Sequence, residues 1–346
     1  MCNFMSKKKI LFIVNPISGT DKKRNIRRII RENLDVERFE YKTKFTEYAG
    51  HAAELAKEAA AAGVDIVAAV GGDGTVNEVA RSLVHTQTAL GIVPCGSGNG
   101  LARHLQIPLD TAGAIRVLNA DVVHSLDYGI INNLPFFCTC GVGFDAFVSQ
   151  KFAESGKRGP LSYIENTLRE GLKYNADTYT IEDENGTVKH KAFLIACANA
   201  SQYGNNAFIA PHASMKDGLM DIIVMEPFPT IEAPQVAFHL FNNTLLESKR
   251  VKTFRARKIR ITRTAPGAMH CDGEPLTTGA IIDVEMVPSS FKVVVNPHAK
   301  VRNADIITTF VERINEWAVQ RTEQLKRDIQ DTKRRNHILI EKIKKL

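Results

Sequence analysis

The feature that most constrains the fold is an alternation of short apolar runs with helical segments from residue 8 to about residue 120. Aliphatic runs and the extended segment 39–45 predict strands, and the Ala-, Glu-, Lys- and Arg-rich stretches between them predict helices. The predicted strands are residues 8–16, 39–45, 65–70 and 89–94, and the predicted helices are residues 22–33, 50–62, 75–84 and 98–105. Such alternation predicts a parallel sheet with helices on both faces, which binds ligands at the carboxyl ends of its strands.

After about residue 124 the sequence changes to short Thr-, Val-, Phe- and Ile-rich runs separated by turns such as Glu184-Asn185-Gly186. Paired runs of this kind predict antiparallel strands. We therefore expect a nucleotide-binding α/β domain over 1–123, completed by part of 296–346, and a β-rich domain over 124–295. Helical segments near 145–174 and 229–247 interrupt the second domain, and a cleft lies between the two.

The segment 303–346 is basic and helical in composition. Its apolar residues recur at spacings of three and four, opposite a face rich in Lys and Arg. One interpretation is a helix packed on the body of the protein. The other is a basic amphipathic helix that contacts anionic membrane or pairs with a second copy in a homodimer. Nucleic acid is not an expected partner, because aromatic side chains that could stack on bases are nearly absent from this segment, which carries Phe310 and Trp317.

The formal net charge of +7 indicates an anionic partner without choosing among a phosphate ligand, a lipid surface and a nucleic acid. The six cysteines lack the spacing of a disulfide framework or a zinc site, and they favour reduced thiols in a cytoplasm. Cys138 and Cys140 are interpreted as core residues of a strand. No run approaches the ~20 apolar residues of a membrane span, so we expect a cytoplasmic protein that is soluble or peripheral at the inner face of the membrane.

The strongest motif is Gly71-Gly72-Asp73-Gly74-Thr75, a glycine-rich turn between a predicted strand and a predicted helix. Glycine lets the backbone approach a ligand closely, so successive N–H groups and the helix N-terminus can hold phosphate oxygens. Asp73 would repel a bare phosphate, and it fits either a bridging Mg²⁺ ion or the acceptance of a proton. The structural alternative is a tight turn in which Asp73 only caps the helix.

Three more strand ends carry suitable residues. The second glycine-rich turn, Gly96-Ser97-Gly98-Asn99-Gly100, follows the strand 89–94, and Arg103 supplies a cation one turn later. The turn Asn15-Pro16-Ile17-Ser18-Gly19 ends the first strand, and Thr46 ends the second. In a parallel sheet these turns share one edge and face one ligand. No Walker A sequence occurs, so this is a different kind of nucleotide site.

These motifs, taken in order with Cys271-Asp272-Gly273-Glu274-Pro275, resemble the diacylglycerol kinase catalytic family, which includes bacterial lipid kinases and the sphingosine and ceramide kinases. The resemblance runs from about residue 8 to 297. It implies a lipid kinase that uses ATP and Mg²⁺ in a cleft between an NAD-kinase-like α/β domain and a β-rich domain, with a membrane lipid as the acceptor. The implied nucleotide contacts are Asn15, Pro16, Ile17, Ser18, Gly19, Thr46, Gly71, Gly72, Asp73, Gly74, Thr75, Val76, Asn77, Glu78, Gly96, Ser97, Asn99 and Arg103.

The resemblance also implies that the lipid hydroxyl loses its proton at the turn Asp272–Glu274. We favour Glu274 as the base with Asp272 beside it, because the acceptor must approach the γ-phosphate from the side opposite the glycine loops. Asp73 is the rival base, as in the sphingosine kinases. An ordinary hairpin turn is the structural alternative for these residues.

A structural Mg²⁺ ion is implied by the similarity of residues 210–219 to a loop of the bacterial lipid kinases. In that loop two acids and a backbone carbonyl hold the ion. Here Asp217 and the Leu219 carbonyl match, but Ser214 stands at the position of the first acid, which weakens a site for a hard dication. The second glycine turn is more similar to the sphingosine and ceramide kinase version, so the acceptor lipid stays open.

Two other functions are compatible with parts of the sequence. NAD kinase shares the first glycine motif but not residues 94–103 or 271–275. A nucleotide-binding regulator without turnover would also keep the cleft, and the acids at Asp73, Asp272 and Glu274 argue against it.

Overall fold

The computed structural model describes residues 7–17, 25–144, 146 and 176–298, all within one compact unit that ends at Lys300. In the described part the α-helices are α1 Ile26–Asn33, α2 His51–Ala61, α3 Asp73–Leu83, α4 Gly100–His104, α5 Thr111–Ala120 and α6 Ala233–Phe241. The strands are β1 Lys8–Val14, β2 Phe39–Phe45, β3 Ile66–Gly71, β4 Ala89–Pro94, β5 Val123–Ile131, β6 Leu134–Phe136, β7 Thr139–Gly143, β8 Asp177–Asp183, β9 Gly186–Ala192, β10 Leu194–Ala198, β11 Met220–Met225, β12 Val251–Ala256, β13 Lys258–Thr262, β14 Gly267–Cys271, β15 Glu274–Thr278 and β16 Ile281–Val294.

The first four strands form a parallel sheet in the order β2-β1-β3-β4. Every residue of β3 and β4 is buried, as expected where helices cover both faces. The register pairs Val14 with Phe45, Val14 with Val70, and Gly71 with Pro94. The carboxyl ends of the four strands therefore lie side by side, and the turns that follow them share one edge.

Strand β16 extends this sheet into the second half of the chain. It pairs in parallel with β4 at Val293 and Leu90, and antiparallel with β5 and β13. The sheet continues through β13 to β8 and β9. The predicted domain boundary at residue 123 falls at the start of β5. Because β16 pairs with β4, one sheet runs through both predicted domains.

A second sheet of six antiparallel strands has the order β12-β11-β10-β7-β14-β15. Buried side chains from both sheets form one core, with Val142 and Ile222 from the second sheet and Ile261 and Ile282 from the first. The second half of the described chain is thus a β-sandwich. The predicted β-rich architecture is confirmed.

Most predicted elements are present. The predicted bounds of the strands 39–45 and 89–94 are confirmed, and Glu184 and Asn185 connect β8 to β9 as predicted. The helical segment near 229–247 consists of α6 between two short 3-10 helices, Thr230–Glu232 and Leu245–Glu247. The predicted helical segment 303–346 lies outside the described residues, and so does nearly all of 145–174. None of the described helices is long and apolar enough to cross a bilayer.

Candidate active site

The two glycine-rich loops meet backbone to backbone. Gly72 is the N-cap residue of helix α3, directly after β3, and Gly96 lies two residues after β4. A Cβ atom added to Gly96 would lie 2.6 Å from the Cα atom of Gly72. Only glycine allows this approach, so the adjacent strand ends form a single continuous surface of backbone groups.

Asp73 joins the first loop to the second. One of its carboxylate oxygens accepts a hydrogen bond from the backbone N–H of Asn99 at 2.8 Å, and the other accepts one from Gly100 N–H at 2.7 Å. These are the first amides of helix α4, where a negative charge is favourable. Asp73 therefore caps α4 rather than its own helix. Its predicted roles as a Mg²⁺ ligand and as a rival base stay predictions.

The side chain of Asn99 closes the second loop on itself. Its Oδ1 accepts from Gly96 N–H at 3.0 Å, and its Nδ2 donates to the Gly96 carbonyl at 2.8 Å. Asn99 has a φ of 52°, a left-handed conformation that asparagine tolerates better than most residues. Ser97 at the tip of this loop is exposed. The predicted donor Asn99 is thus used within the loop, while Ser97 faces solvent.

The end of β1 is tied to the first turn of α3. The Nδ2 of Asn15 donates to Thr75 Oγ1 at 3.1 Å, and the Oδ1 of Asn15 accepts from Ile17 N–H at 3.0 Å. Thr46 N–H donates to the Val14 carbonyl at 2.9 Å, which places the turn after β2 beside the same edge. Predicted strand ends thus lie together at the sheet edge.

The remaining residues that were predicted to contact the nucleotide differ in how exposed they are. Pro16 and Ile17 are exposed, whereas the side chains of Val76 and Asn77 are on the buried face of α3. The backbone N–H of Val76 donates to the Gly72 carbonyl at 3.1 Å. The predicted contacts Ser18 and Gly19 lie outside the described residues. Gly74 has open space where a Cβ would be, and Glu78 is partly exposed.

A segment that sequence reasoning missed packs against the second loop. Asn205 N–H donates to the Gly98 carbonyl at 3.1 Å, and a Cβ on Gly204 would lie 3.0 Å from Gly98 Cα. Arg103 donates to the same carbonyl from Nε at 2.9 Å and to Asn206 Oδ1 from Nη1 at 2.9 Å. Burial lowers the pKa of Arg103, an effect that the Asp73 charge opposes. Arg103 therefore supports the loop. The run Gly204-Asn205-Asn206 was the feature of the sequence that could have pointed to this segment.

Asp272 is enclosed by backbone amides at the turn between β14 and β15. Its carboxylate accepts from Phe137 N–H at 2.8 Å, from Cys138 N–H at 2.7 Å and from Thr139 N–H at 3.0 Å. Burial raises the pKa of Asp272 to about 6, although the three amides and the charge of Arg81 act in the opposite direction. Asp272 thus fixes the turn, with a pKa close to neutrality.

Glu274 is the accessible acid of the same turn. Its side chain is 48% exposed, and its Oε2 lies 3.3 Å from Nη1 of Arg81. Among the described residues this is its one ion pair. A carboxylate that reaches solvent can meet an incoming hydroxyl, whereas the Asp272 oxygens already receive three hydrogen bonds.

The two groups of acids share one neighbourhood. Burial raises the pKa of the Cys138 thiol well above its ordinary value, and the charges of Asp272 and Asp73 raise it further. The segment that contacts Gly98 also reaches the turn of Asp272, because the ring centroids of Tyr203 and His270 lie 6.0 Å apart and His270 Nδ1 accepts from Gly273 N–H at 3.4 Å. Cys138 and Cys140 are buried free thiols, as the core interpretation predicted. The arrangement joins a surface suited to phosphate with carboxylates able to take a proton.

The residues of the implied structural metal site do not suit a divalent cation. Asp217 pairs with Arg255, whose Nη1 lies 3.4 Å from Oδ2, and its Oδ1 accepts from Leu219 N–H at 3.1 Å. Ser214 Oγ accepts from Lys216 N–H at 3.3 Å. A guanidinium already balances the one matching acid, and no group of three His, Cys, Asp or Glu side chains able to hold a metal occurs in the described part of the chain.

Two family models match the chain. The model described as a diacylglycerol kinase catalytic domain matches residues 9–131, and that of a YegS C-terminal NAD kinase beta sandwich-like domain matches residues 138–295. A protein of Bacillus subtilis (strain 168) named diacylglycerol kinase is 26% identical over 274 residues, covering 77% of this chain and 90% of that protein.

A protein of Chromohalobacter salexigens with the name "Probable lipid kinase YegS-like" is 28% identical over 232 residues, covering 65% of this chain and 75% of its own. A crystal structure of a diacylglycerol kinase from Bacillus anthracis str. Sterne matches with a TM-score of 0.66 at 20% identity. The match covers 86% of this chain and all of that one, and it supports the fold.

The fold has the two-domain arrangement that these models describe, an α/β domain with two glycine loops followed by a β-sandwich. The chain belongs to the diacylglycerol kinase catalytic domain family, as its motifs predicted.

Proposed function

We propose that this protein is an ATP- and Mg²⁺-dependent lipid kinase that transfers the γ-phosphoryl group to the hydroxyl of a diacylglycerol-like or sphingoid-like lipid. The observation that carries the proposal is the convergence of the glycine-loop edge with the turn Asp272–Glu274, called the acceptor turn below. The segment 203–206 bonds to Gly98 through Asn205 N–H, and its Tyr203 ring lies 6.0 Å from the ring of His270 in the strand that leads to that turn. The family membership and the relatives named as lipid kinases support the same reaction.

The glycine loops would hold the nucleotide. The N-terminus of α3 offers unpaired backbone N–H groups beside the open space at Gly74, which suits phosphate oxygens. When bound, Mg²⁺ supplies positive charge that offsets the phosphates. Asp73 is the residue that fits such an ion, because it is the carboxylate of the first glycine loop and its two hydrogen bonds come from neutral amides.

Glu274 would take the proton of the acceptor. The lipid oxygen forms a bond to the γ-phosphorus, the bond to the bridging β-γ oxygen breaks, and ADP leaves. The hydroxyl proton passes to the Glu274 carboxylate. Asp272 holds the turn that presents Glu274, through its three bonds to residues 137–139.

The test is transfer of labelled γ-phosphate from ATP, with Mg²⁺, to diacylglycerol, a sphingoid base and NAD offered separately. Label in one of the lipids supports the proposal and names the acceptor. Label in NAD alone would favour the NAD-kinase-like alternative. Tight ATP binding with no labelled acceptor would favour a regulator that has kept the nucleotide site.

A further inference from the structure

Arg81 connects the two parts of the site. It lies in the last turn of α3, the helix that begins at Asp73 in the first glycine loop. Its Nη1 is 3.3 Å from Glu274 Oε2, and its Nη2 is 3.7 Å from Cys271 Sγ. One helix thus carries a phosphate-facing end and a cation that contacts the acceptor turn.

The surroundings of Arg81 favour its charge. Burial lowers the pKa of Arg81, but Glu274, Cys271 and Asp272 together more than offset this and leave the pKa raised. The side chain is 28% exposed, and its Nε is buried without a hydrogen-bond partner within the described residues. A buried unsatisfied N–H costs about 1–3 kcal/mol. The side chain is therefore held toward Glu274 in spite of that cost.

Stability alone does not explain this contact. An ion pair with so much solvent access is worth about 0–1 kcal/mol, which is no more than the penalty at Nε. What the pair does provide is direction, because it limits the positions that the exposed Glu274 carboxylate can take. A base must lie within hydrogen-bond reach of the proton that it removes.

We propose that Arg81 is a positioning residue for phosphoryl transfer. Its guanidinium holds the Glu274 carboxylate in the cleft and ties the acceptor turn to the helix of the first glycine loop. This inference rests on the proposed function, since it assigns Arg81 a part in that reaction. Lysine would keep the charge at this position but not the planar fork that fixes a carboxylate.

The first test compares Arg81→Gln and Arg81→Lys with the wild type in lipid phosphorylation. We expect kcat to fall on the order of 10- to 100-fold in Arg81→Gln, with Arg81→Lys between the two, because a small misplacement of a reacting group has effects of that size. The Kd for ATP should stay within about twofold, since Arg81 does not face the phosphates. The control is Arg260→Gln, which removes an exposed bidentate pair with Asp283 at 2.7 and 3.0 Å.

The second test repeats Arg81→Gln in a Glu274→Gln background. If Arg81 acts through Glu274, Arg81→Gln does not lower kcat further in a protein that already carries Glu274→Gln. An equal loss of kcat in both backgrounds would overturn the inference, and so would wild-type kcat in Arg81→Gln.

A third readout does not depend on turnover. Amide hydrogen exchange of residues 271–276 should be faster in Arg81→Gln than in the wild type and in Arg260→Gln, while the thermal midpoint stays close to that of the wild type. Unchanged exchange there would contradict positioning by Arg81. A wild-type protein that labels no lipid would instead defeat the proposed function, and the exchange result would still report on the contact.

Discussion

At the residue scale, the carboxylate of Asp73 joins two loops that are 26 positions apart in the chain. The sequence predicted that Asp73 belongs to the site, because an acid in a turn suited to phosphate fits a bridging Mg²⁺ ion or the acceptance of a proton. It could not show that the acid accepts from the amides of Asn99 and Gly100, since that contact depends on how β3 and β4 pair. Asp272 is similar, because its partners at residues 137–139 come from another strand.

Asp73→Asn should lower kinase activity by two orders of magnitude or more while the fold survives. Asparagine keeps one acceptor but directs an NH₂ group toward an N–H donor, and each unsatisfied group costs about 1–3 kcal/mol. The measurement is kcat/KM for lipid phosphorylation together with far-UV circular dichroism. Asp183→Asn, at the end of β8 beside the hairpin turn, is the control. Near-normal turnover in Asp73→Asn would defeat the assignment.

Asp272 should make folding stability depend on pH. Burial raises its pKa from 3.8 to about 6, so between these values the folded state binds a proton that the unfolded state has released. The stability from the protonated carboxyl is complete below about pH 4 and is lost as pH rises to about 6, by about 3 kcal/mol. Urea unfolding between pH 4 and 7 gives the free energy of unfolding of the wild type and of Asp272→Asn. The difference between these two free energies is the contribution of Asp272. A difference that does not change with pH would contradict it.

At the element scale, the bounds of β4 followed from its apolar run and flanking turns, and those of β2 from an extended pattern in which aromatic residues alternate with polar ones. Helix α5 was missed, although Asp110 caps it by accepting from Gly113 N–H at 2.6 Å and its apolar residues fit a helical period. A glycine near its start and its position close after α4 concealed that pattern. The contact between the loops of Gly72 and Gly96 also could not be predicted from the local sequence, because it depends on β3 and β4 being neighbours in the sheet.

The glycines of the two loops should differ in what they tolerate. Gly96→Ala places a Cβ 2.6 Å from Gly72 Cα and should destabilise the fold by about 1–3 kcal/mol. Gly74→Ala meets no atom within 4 Å, so stability should be unchanged or increased by up to about 1 kcal/mol. Its methyl group nevertheless enters the space proposed for phosphate, and ATP binding should weaken at least tenfold.

Thermal unfolding and calorimetric titration with ATP measure the two effects separately. Gly279→Ala, at a turn with open space around it, is the control for both. Full ATP affinity in Gly74→Ala would exclude that end of α3 as the phosphate site.

At the scale of the whole molecule, β16 makes the two halves one structure. It extends the parallel sheet through Val293 and Leu90, and it also forms part of the sandwich core through Ile282 and Val284. Other contacts also cross between the halves, among them those from Asn205 to Gly98, from Arg103 to Asn206 and from Arg81 to Glu274. The order of the motifs predicted which strand ends carry the chemistry. It could not predict these crossings, because they arise from tertiary packing of distant segments.

The most direct test of the central claim is transfer of labelled γ-phosphate from ATP to diacylglycerol and to a sphingoid base in mixed micelles, with the wild type beside Glu274→Gln. We expect labelled lipid from the wild type and a loss on the order of 10²- to 10⁴-fold in the variant, since a positioned base contributes that much. The thermal midpoint and ATP binding of the variant should match the wild type, because Glu274 is exposed. Transfer by Glu274→Gln at the wild-type rate, or no labelled lipid from a wild-type protein that binds ATP, would contradict the account.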